Sequence, residues 1–312
     1  MATLITGSYA FDTIMGFPDS FKNHIIPEKL DILNVCFLVP EMRKEFGGCS
    51  GNIAYNLNLL GGNPLPMATV GEDFGPYRKW LTKCNIDDKH VVEVADSYTA
   101  QAFLTTDENG NQIIAFHPGA MNVAETNKIS DAENIDMGIV SPDGRQAMID
   151  HAEQFSQAGI PFFFDPGQGL PMFGEPELKR FIQLAEYVVV NDYESEMLSQ
   201  NSAMSLAEIA AQVSALIVTR GSKGADIFTS GERIAIPVAP ISANTDPTGC
   251  GDAFRAGLLH GVNNNLDWQT TGQMAALLGA IKIEQHGTQN HHFTLEEFKQ
   301  RYHSSFNQTL AI

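Results

Sequence analysis

From residue 135 onward, short apolar runs alternate with amphipathic segments, and this alternation constrains the fold more than any other feature of the chain. The apolar runs are DMGIVSP, IPFFFDP, YVVVND and ALIVTRG, which are typical of strands buried on both faces. The segments between them, at about 143–158, 176–185 and 192–213, have the apolar spacing of helices. This rhythm predicts an α/β fold with a doubly wound, mostly parallel sheet flanked by helices.

The N-terminal part of the chain begins with the same rhythm. TLITGSYAFD (3–12) predicts a short buried strand that ends in a glycine turn. SGNIAYNLNLLGG (50–62) predicts a helix, and PMATVG (66–71) predicts another buried strand. Residues 31–46 have a strand-like centre between polar flanks.

Two extended segments, at 98–107 and 111–119, interrupt this rhythm. The ENG turn between them predicts a hairpin. We expect a small, discontinuous β-lid contributed by about 9–46 and 98–117. No linker or internal repeat divides the sequence, so we expect residues 1–312 to form a single domain.

The charge of the chain argues against two classes of partner. Acidic residues outnumber basic ones 37 to 19, which gives a formal charge of −18. Such a surface repels phosphate backbones and anionic lipids, so we expect neither nucleic acid nor a membrane as a partner. The start of the sequence lacks the pattern of a signal peptide, and the four cysteines show no zinc or disulfide spacing. We therefore expect a cytoplasmic protein with reduced thiols.

The segment DPTGCGD (246–252) combines a glycine turn with a carboxylate at the start of a predicted helix. Gly249 and Gly251 allow the backbone to approach a ligand closely, and free N–H groups at a helix start bind anions. Asp252 can face outward and take a proton from a substrate hydroxyl, which is a combination that suits phosphoryl transfer. The alternative is a glycine-rich helix cap in which Asp252 only interacts with the helix dipole.

Four motifs in this chain resemble those of the ribokinase-like (PfkB) sugar and nucleoside kinases. DPTGCGDAF resembles the C-terminal signature of that family, and FGGCSGNIAYNLNLLGG resembles its N-terminal signature. NDYE is similar to its N-x-x-E motif, and VTRGSKGADIF is similar to its nucleotide-binding segment. GSYAFDTIMGFPDSF and TVGEDFGPYRKWL are similar to segments of bacterial adenosine and nucleoside kinases. The resemblance implies a ribokinase-like fold that transfers the γ-phosphoryl group of ATP to a ribonucleoside 5′-hydroxyl, with Mg²⁺.

The resemblance also implies the catalytic residues. Asp252 matches the general base, and Gly249, Cys250 and Gly251 match the anion hole. Cys250 stands where the family usually has alanine, and the change is tolerable because only the backbone N–H is needed there. A nucleophilic thiol at Cys250 is the alternative, but no histidine in the sequence is placed to activate it.

The implied sugar contacts lie in the first sixth of the chain. Asp12 matches the sugar-binding aspartate, whose carboxylate accepts hydrogen bonds from two vicinal ribose hydroxyls. Gly47 and Gly48 allow the backbone to pass close to the sugar, and Ser8 belongs to the same substrate site. Asn52 is expected to bond a sugar hydroxyl, with a helix-capping role as its alternative.

Recognition of the base rests on the two lid strands. Phe103 and Phe116 are candidates to stack on a purine, with a role in the core as the alternative for each. Relatives have an aromatic residue one position earlier than Phe103, where this chain has Ala102. Either Phe103 substitutes through a register shift, or the base pocket is wider. Gln168 is a candidate to bond the base edge, and the glycines on either side of it favour a broad purine range.

The implied nucleotide and metal contacts come from the C-terminal half. Asn191 and Glu194 are expected to order Mg²⁺ through water, with Glu196 as a nearby alternative and a plain helix cap as the structural one. The expected ATP-binding residues are Thr219, Arg220, Gly221 and Gly224, together with Gly249 and Gly251. Lys223 adds charge to this loop or is simply exposed. Arg255 is expected either to reach a phosphate or to pair with an acid at the surface.

A K⁺ site is a further implication of the resemblance. It would lie near Asp246 and Gly287 and consist largely of backbone carbonyl groups. Pro247 replaces the usual threonine after Asp246, so the sequence leaves this site open.

Two alternatives to a nucleoside kinase remain open. One is a sugar kinase of the same family that acts on ribose or fructose. The other is a non-catalytic sensor of purine nucleosides on a kinase scaffold, against which the intact Asp252 argues. We also expect pairing of exposed lid strands to produce a homodimer.

Overall fold

The computed structural model describes residues 2–312, which contain thirteen strands and nine α-helices. The strands are β1 (Ala2–Thr6), β2 (Ala10–Gly16), β3 (Glu41–Gly47), β4 (Asn63–Val70), β5 (His90–Glu93), β6 (Ala100–Thr106), β7 (Gln112–His117), β8 (Ile135–Val140), β9 (Phe162–Phe164), β10 (Tyr187–Asn191), β11 (Ala215–Thr219), β12 (Ala225–Thr229) and β13 (Glu232–Ile236). The helices are α1 (Cys49–Leu59), α2 (Gly75–Lys83), α3 (Arg145–Gln157), α4 (Glu175–Leu184), α5 (Asp192–Ser202), α6 (Leu206–Ala210), α7 (Cys250–Asn263), α8 (Trp268–Ile283) and α9 (Leu295–Phe306).

The main sheet has nine strands in the order β13-β12-β11-β10-β9-β8-β1-β4-β5. All neighbouring pairs from β11 to β5 are parallel, and only the β11–β12 and β12–β13 pairs are antiparallel. The chain leaves β1 toward β4 on one side and later returns to β8 on the other, so the strand order reverses at β1. The predicted doubly wound sheet is confirmed, and ligands bind beside such a reversal in folds of this type.

Alternate residues along the central strands enter two different cores. Val189 and Ile217 belong to the core on the side of α7 and α8. Val188 and Leu216, their neighbours, belong to the core on the side of α3 and α4. Because successive side chains of a strand point to opposite faces, the uninterrupted apolar runs of the sequence are explained by helices covering both faces.

The predicted helix over 192–213 is two helices in the structure. Asn191 and Glu194 form a capping box at the start of α5, and Ala203 ends this helix in a left-handed conformation with φ of +52°. A second box between Ser205 and Glu208 then starts α6. The apolar spacing continues across the break, so the pattern concealed a turn that the capping residues specify.

A second, four-stranded sheet forms the lid, in the order β3-β2-β6-β7. β2 and β6 are parallel, whereas the two outer pairs are antiparallel. The strand-like centre predicted for 31–46 is wrong: residues 33–40 have no regular structure, and the strand lies at 41–47. The mostly charged segment EMRKE forms part of an edge strand that is exposed to solvent at several positions.

None of the helices formed by residues 2–312 is long and apolar enough to cross a membrane.

Candidate active site

Ser8 and the glycines of the N-terminal signature meet where β1 ends and α1 begins. The N–H of Ser50 donates to the Ser8 carbonyl at 3.0 Å, and Ser8 Oγ accepts from the Cys49 N–H at 3.3 Å. Gly48 has a φ of +87°, and a Cβ there would collide with the backbone of Ser8 and Ala10. The glycine is therefore required for the lid strand and α1 to join at this edge of the sheet.

The glycine turn at 246–252 leads directly into α7. Gly249 is the N-cap with a φ of +80°, a left-handed conformation that favours glycine. A Cβ on Gly249 would lie 3.1 Å from Thr288, so the turn also has little space for a side chain. The N–H groups of Gly251 and Asp252 belong to the first helical turn, where no intrahelical acceptor is available. This end of α7 is suited to holding an anion.

The Asp252 carboxyl group faces α1 rather than its own helix. Asn52 Nδ2 donates to Asp252 Oδ2 at 2.8 Å, across 200 residues of sequence. Burial raises the pKa of Asp252 to about 6, while the bond from Asn52 and the nearby Arg255 oppose this shift. A carboxylate with a pKa close to neutrality is suited to accept a proton from an alcohol.

Asn52 is itself held by Gln289, which lies in the segment between α8 and α9. Gln289 Nε2 donates to Asn52 Oδ1 at 2.9 Å and to the Tyr77 hydroxyl at 2.5 Å. Gln289 Oε1 in turn accepts from Trp80 Nε1 at 2.8 Å. The orientation of Asp252 is therefore fixed by a chain of buried hydrogen bonds that ends on α2. The predicted contact of Asn52 with a sugar hydroxyl stays a prediction.

Arg255 follows the turn on α7 and is buried, so the surface pairing, one of its two expected roles, is wrong. Its Nε is 2.6 Å from Asp165 Oδ2, its Nη2 is 3.8 Å from Glu194 Oε2, and its Nη1 donates to the Gly251 carbonyl at 3.1 Å. Burial opposes the charge, but the two carboxylates raise the pKa of Arg255 above its ordinary value. With these partners Arg255 supports the turn, and a contact with a phosphate stays a prediction.

The Asp12 side chain projects from β2 toward Gly47 of the N-terminal signature. A Cβ on Gly47 would collide with the Asp12 carboxyl group, so the two residues are in close contact. Burial, followed by repulsion from Glu45 and Asp246, raises the pKa of Asp12 to about 6. The carboxyl group is thus desolvated and lacks a cationic partner among the groups that shift its pKa, and its contact with sugar hydroxyls stays a prediction.

The register of the lid sheet separates the two candidate phenylalanines. Asp12 pairs with Ala102, and Ala102 pairs with Phe116, so these three residues lie on one face of the sheet. Phe103 is the next residue along β6 and therefore lies on the opposite face. No register shift interrupts the β2–β6 pairing. Phe103 cannot stack on a base bound beside Asp12, whereas Phe116 lies about 10 Å from Asp12, two strands away.

Gln168 and the nucleotide segment lie at the same edge of the main sheet. Gln168 is exposed on the turn that follows β9. Thr219 ends β11, and the Arg220 N–H donates to the Gly224 carbonyl at 2.7 Å, which closes the loop through Gly221. The Arg220 side chain forms an ion pair with the buried Asp226. Lys223 is exposed.

Asn191 and Glu194 bond each other in the structure. Asn191 Oδ1 accepts from the Glu194 N–H at 2.7 Å, and Glu194 Oε2 accepts from the Asn191 N–H at 2.8 Å. Burial raises the pKa of Glu194, and Arg255 counteracts this shift. Glu196 is exposed on the following turn. The capping role is therefore present, and a role in Mg²⁺ binding stays a prediction.

The surroundings of Asp246 include a cation of the chain itself. The Asp246 carboxylate accepts from the N–H groups of Thr248 and Gly287, each at 3.0 Å. Lys282 Nζ donates to the Asp246 carbonyl at 2.6 Å. Burial raises the pKa of the nearby Cys250 thiol to about 11, so this thiol is protonated and unsuited to nucleophilic attack.

Sequence reasoning missed three residues around this site. Asp165 follows an apolar strand in the same manner as Asn191, which is a usable signal. Lys282 lies within the apolar helix segment AALLGAIKI, where a lysine is out of place. Gln289 gives no signal, since its contacts with Asn52 and Tyr77 bridge more than 200 residues.

The sequence of the chain matches a known protein family. A family model described as pfkB family carbohydrate kinase matches residues 20–294 of the chain. The chain therefore belongs to the pfkB family, and it is a phosphotransferase.

Several relatives are nucleoside kinases. The structure of the Burkholderia thailandensis nucleoside kinase in complex with inosine is 47% identical, has a TM-score of 0.90, and covers 98% of this chain and 99% of that chain. The structure of the same kinase in complex with ADP-inosine has a TM-score of 0.88 and covers 98% of this chain and 97% of that chain. A nucleoside kinase of Methanocaldococcus jannaschii is 30% identical over 277 residues, which are 88% of this chain and 91% of that protein.

Proposed function

We propose that this protein is an ATP-dependent kinase that phosphorylates the 5′-hydroxyl of purine ribonucleosides such as adenosine, inosine and guanosine. The observation that carries the proposal is the Asp252 carboxyl group, which has a pKa of about 6 and is held by Asn52 beside the free N–H groups of α7. The similarity to a kinase solved with inosine and with ADP-inosine supports a nucleoside as the acceptor.

In the proposed reaction, Asp12 accepts hydrogen bonds from the 2′- and 3′-hydroxyls, and the 5′-hydroxyl lies beside Asp252. Asp252 takes the proton of the 5′-hydroxyl as its oxygen bonds to the γ-phosphorus of ATP. The bond from that phosphorus to the β,γ-bridging oxygen breaks, and ADP leaves. The N–H groups of Gly249 and Gly251 stabilise the charge on the transferred group, whereas the N–H of Cys250, also expected in the anion hole, donates to the Pro247 carbonyl at 3.2 Å.

We propose that a magnesium ion binds through water near Asn191 and Glu194, beside the turn. Glu194 and Asp165 provide carboxylate oxygens, and Asp165 Oδ1 is buried without a hydrogen-bond partner. Mg²⁺ prefers such ligands, commonly through water, and when bound it would neutralise phosphate charge. Thr219, Arg220, Gly221 and Gly224 are proposed to contact the nucleotide.

We propose that Phe116 stacks on the base and that Gln168 contacts its edge. Phe116 is 53% exposed and shares the lid face with Asp12, and this spacing suits a ribose with its base. The Ala102 side chain between them leaves space, which supports acceptance of several purines.

A homodimer through the lid is a further part of the proposal. Every residue of the edge strand β7 is exposed, including Ile113 and Ile114. An uncovered apolar edge strand is suited to pair with a second copy. Light scattering after gel filtration should give a dimer for the wild type and a monomer for Ile114→Lys. A monomeric wild type would remove this part of the proposal.

A substrate panel with Mg²⁺-ATP tests the function. We expect adenosine, inosine and guanosine to yield 5′-monophosphates with kcat/KM at least about tenfold above that of ribose or fructose. A preference for ribose or fructose would indicate the sugar kinase alternative. Tight binding of inosine without turnover would indicate the sensor.

A further inference from the structure

The cradle of carbonyl groups expected to bind K⁺ contains the side chain of a lysine. Lys282 has no exposed surface, although lysine is almost never fully buried. Its Nζ donates to the Asp246 carbonyl at 2.6 Å and to the Gln285 carbonyl at 3.4 Å. The ammonium group is therefore held by backbone carbonyls at the edge of the α7 turn.

The partners of Lys282 differ from those of the other buried cation at this site. Arg255 is paired with the carboxylates of Asp165 and Glu194. The Asp246 carboxylate, by contrast, accepts from the N–H groups of Thr248 and Gly287 and, at 3.4 Å, from Arg43 Nη2. Lys282 bonds the backbone carbonyl of Asp246 instead. Carbonyl dipoles are the ligands that proteins offer to K⁺, and an ammonium group carries the same unit charge and donates to the same oxygens.

The position of Lys282 couples it to the anion hole. The N–H groups of Thr245 and Asp246 both donate to the Ile283 carbonyl at 3.0 Å, so the end of α8 holds the start of the turn. The charge of Lys282 also acts on Cys250 and Asp252. A positive charge here stabilises the turn and adds to the field that meets the transferred phosphoryl group.

We infer that the ammonium group of Lys282 replaces the monovalent cation, so that this kinase works without K⁺. The expected K⁺ site near Asp246 and Gly287 does not fit this chain, because Lys282 Nζ already bonds the Asp246 carbonyl. Lys282 is a positioning residue, since it acts through the turn and does not touch the reacting atoms. The inference rests on the proposed kinase function for its activity measurements only.

The wild type provides the first test. Initial rates with inosine and Mg²⁺-ATP are compared in potassium, sodium and tetramethylammonium chloride at equal ionic strength. In each assay ATP is supplied as the salt of the same monovalent cation. We expect rates that agree within about twofold, because an ion that does not bind has no linked effect. Activation by K⁺ of about fivefold or more over both other cations would overturn the inference.

Two substitutions at Lys282 make the second test. Lys282→Ala removes the charge and leaves room for an ion, whereas Lys282→Met removes the charge and fills the space. In tetramethylammonium chloride we expect kcat to fall about tenfold or more in both variants. Potassium should restore Lys282→Ala to within about threefold of the wild type and leave Lys282→Met unchanged. Lys179→Ala, at a half-buried lysine of α4 that pairs with Glu175, is the matched control and should behave as the wild type.

Thermal unfolding gives a readout that does not depend on turnover. Potassium should raise the Tm of Lys282→Ala by about 2 °C over tetramethylammonium, while the wild-type Tm stays the same in both salts. A Lys282→Ala protein with full activity in tetramethylammonium, or one that no monovalent cation rescues or stabilises, would overturn the inference. Absence of phosphorylation by the wild type in every salt would instead refute the proposed function, and the unfolding data would still test Lys282.

Discussion

The α7 turn (residues 246–252) and the lid sheet (β3, β2, β6 and β7) face the same space but are built in different ways. The turn is surrounded by buried contacts between distant parts of the chain, such as Asn52 to Asp252 and Lys282 to Asp246. The lid is a thin sheet whose outer strand β7 is exposed throughout. A rigid turn suits a transition state, and a lightly held lid suits closure over a ligand. Substitutions at the turn should therefore lower kcat, and substitutions in the lid should raise KM.

The largest effect is expected for Asp252→Asn. The variant keeps the shape and the partner Asn52 but cannot accept the proton, so kcat should fall by about 10³-fold or more. Isothermal titration should find inosine affinity close to that of the wild type. Turnover within about tenfold of the wild type would show that another group is the base.

Stability should change in the opposite direction in the same variant. Because burial raises the folded-state pKa of Asp252 to about 6, the ionised carboxylate destabilises the folded protein above that pH. Asp252→Asn should therefore have a higher Tm than the wild type at about pH 8, and the difference should shrink as the pH falls toward 4.

The next largest effect is expected for Gly249→Ala. Alanine disfavours the φ of +80°, and its Cβ would lie 3.1 Å from Thr288, so the anion hole should distort and kcat should fall about 10²-fold. Gly159→Ala is the matched control, since Gly159 has a φ of +67° and open space around its Cβ position. The control should lose stability and keep its kcat. Equal kcat values for the two variants would contradict the role of the turn.

These two regions also differ in how far the sequence predicted them. The turn was predicted in detail because Gly249, Gly251 and Asp252 are neighbours in one short motif, where helix-start chemistry applies locally. The contact with Asn52 was not predicted, since nothing in either segment encodes a bond across 200 residues. The role of Arg255 was left open between a phosphate contact and a surface pair, because its position in α7 does not reveal Asp165, which follows another strand.

The lid was predicted as a sheet, but its details were not. A hairpin signal at 98–119 does not state which partner strand pairs with β6 or in which register. A shift of one residue exchanges the two faces, so Phe103 and Phe116 could not be distinguished from the sequence. The capping box of Ser205 and Glu208 that starts α6 was present in the sequence, yet the continuous apolar spacing favoured one helix.

In the lid, Asp12→Asn should act mainly on binding. The amide keeps the size of the carboxyl group but accepts weaker bonds from the ribose hydroxyls, so KM for inosine should rise about 10- to 100-fold. The kcat should change by less than about threefold. Steady-state kinetics with a 2′-deoxynucleoside provide the control. Loss of one hydroxyl should raise the KM of the wild type by a larger factor than the KM of the variant.

The smallest effect is expected from a pair of lid substitutions. Phe116→Ala should raise KM about tenfold, since stacking on a base is lost. Phe103→Ala is the matched control on the opposite face of the same sheet and should leave KM unchanged. The same rise in KM for both variants would contradict the register-based assignment.

The pH dependence of kcat/KM for Asp12→Asn tests the central claim most directly, because this variant removes the other carboxyl group with a pKa of about 6. The general base must be ionised, so activity should be full above the pKa of Asp252 and fall as the pH decreases through about 6. We predict a single acidic limb of unit slope near that pH. A profile that stays flat down to about pH 4.5 would contradict the account, since Asp252 could not then be the group that accepts the proton.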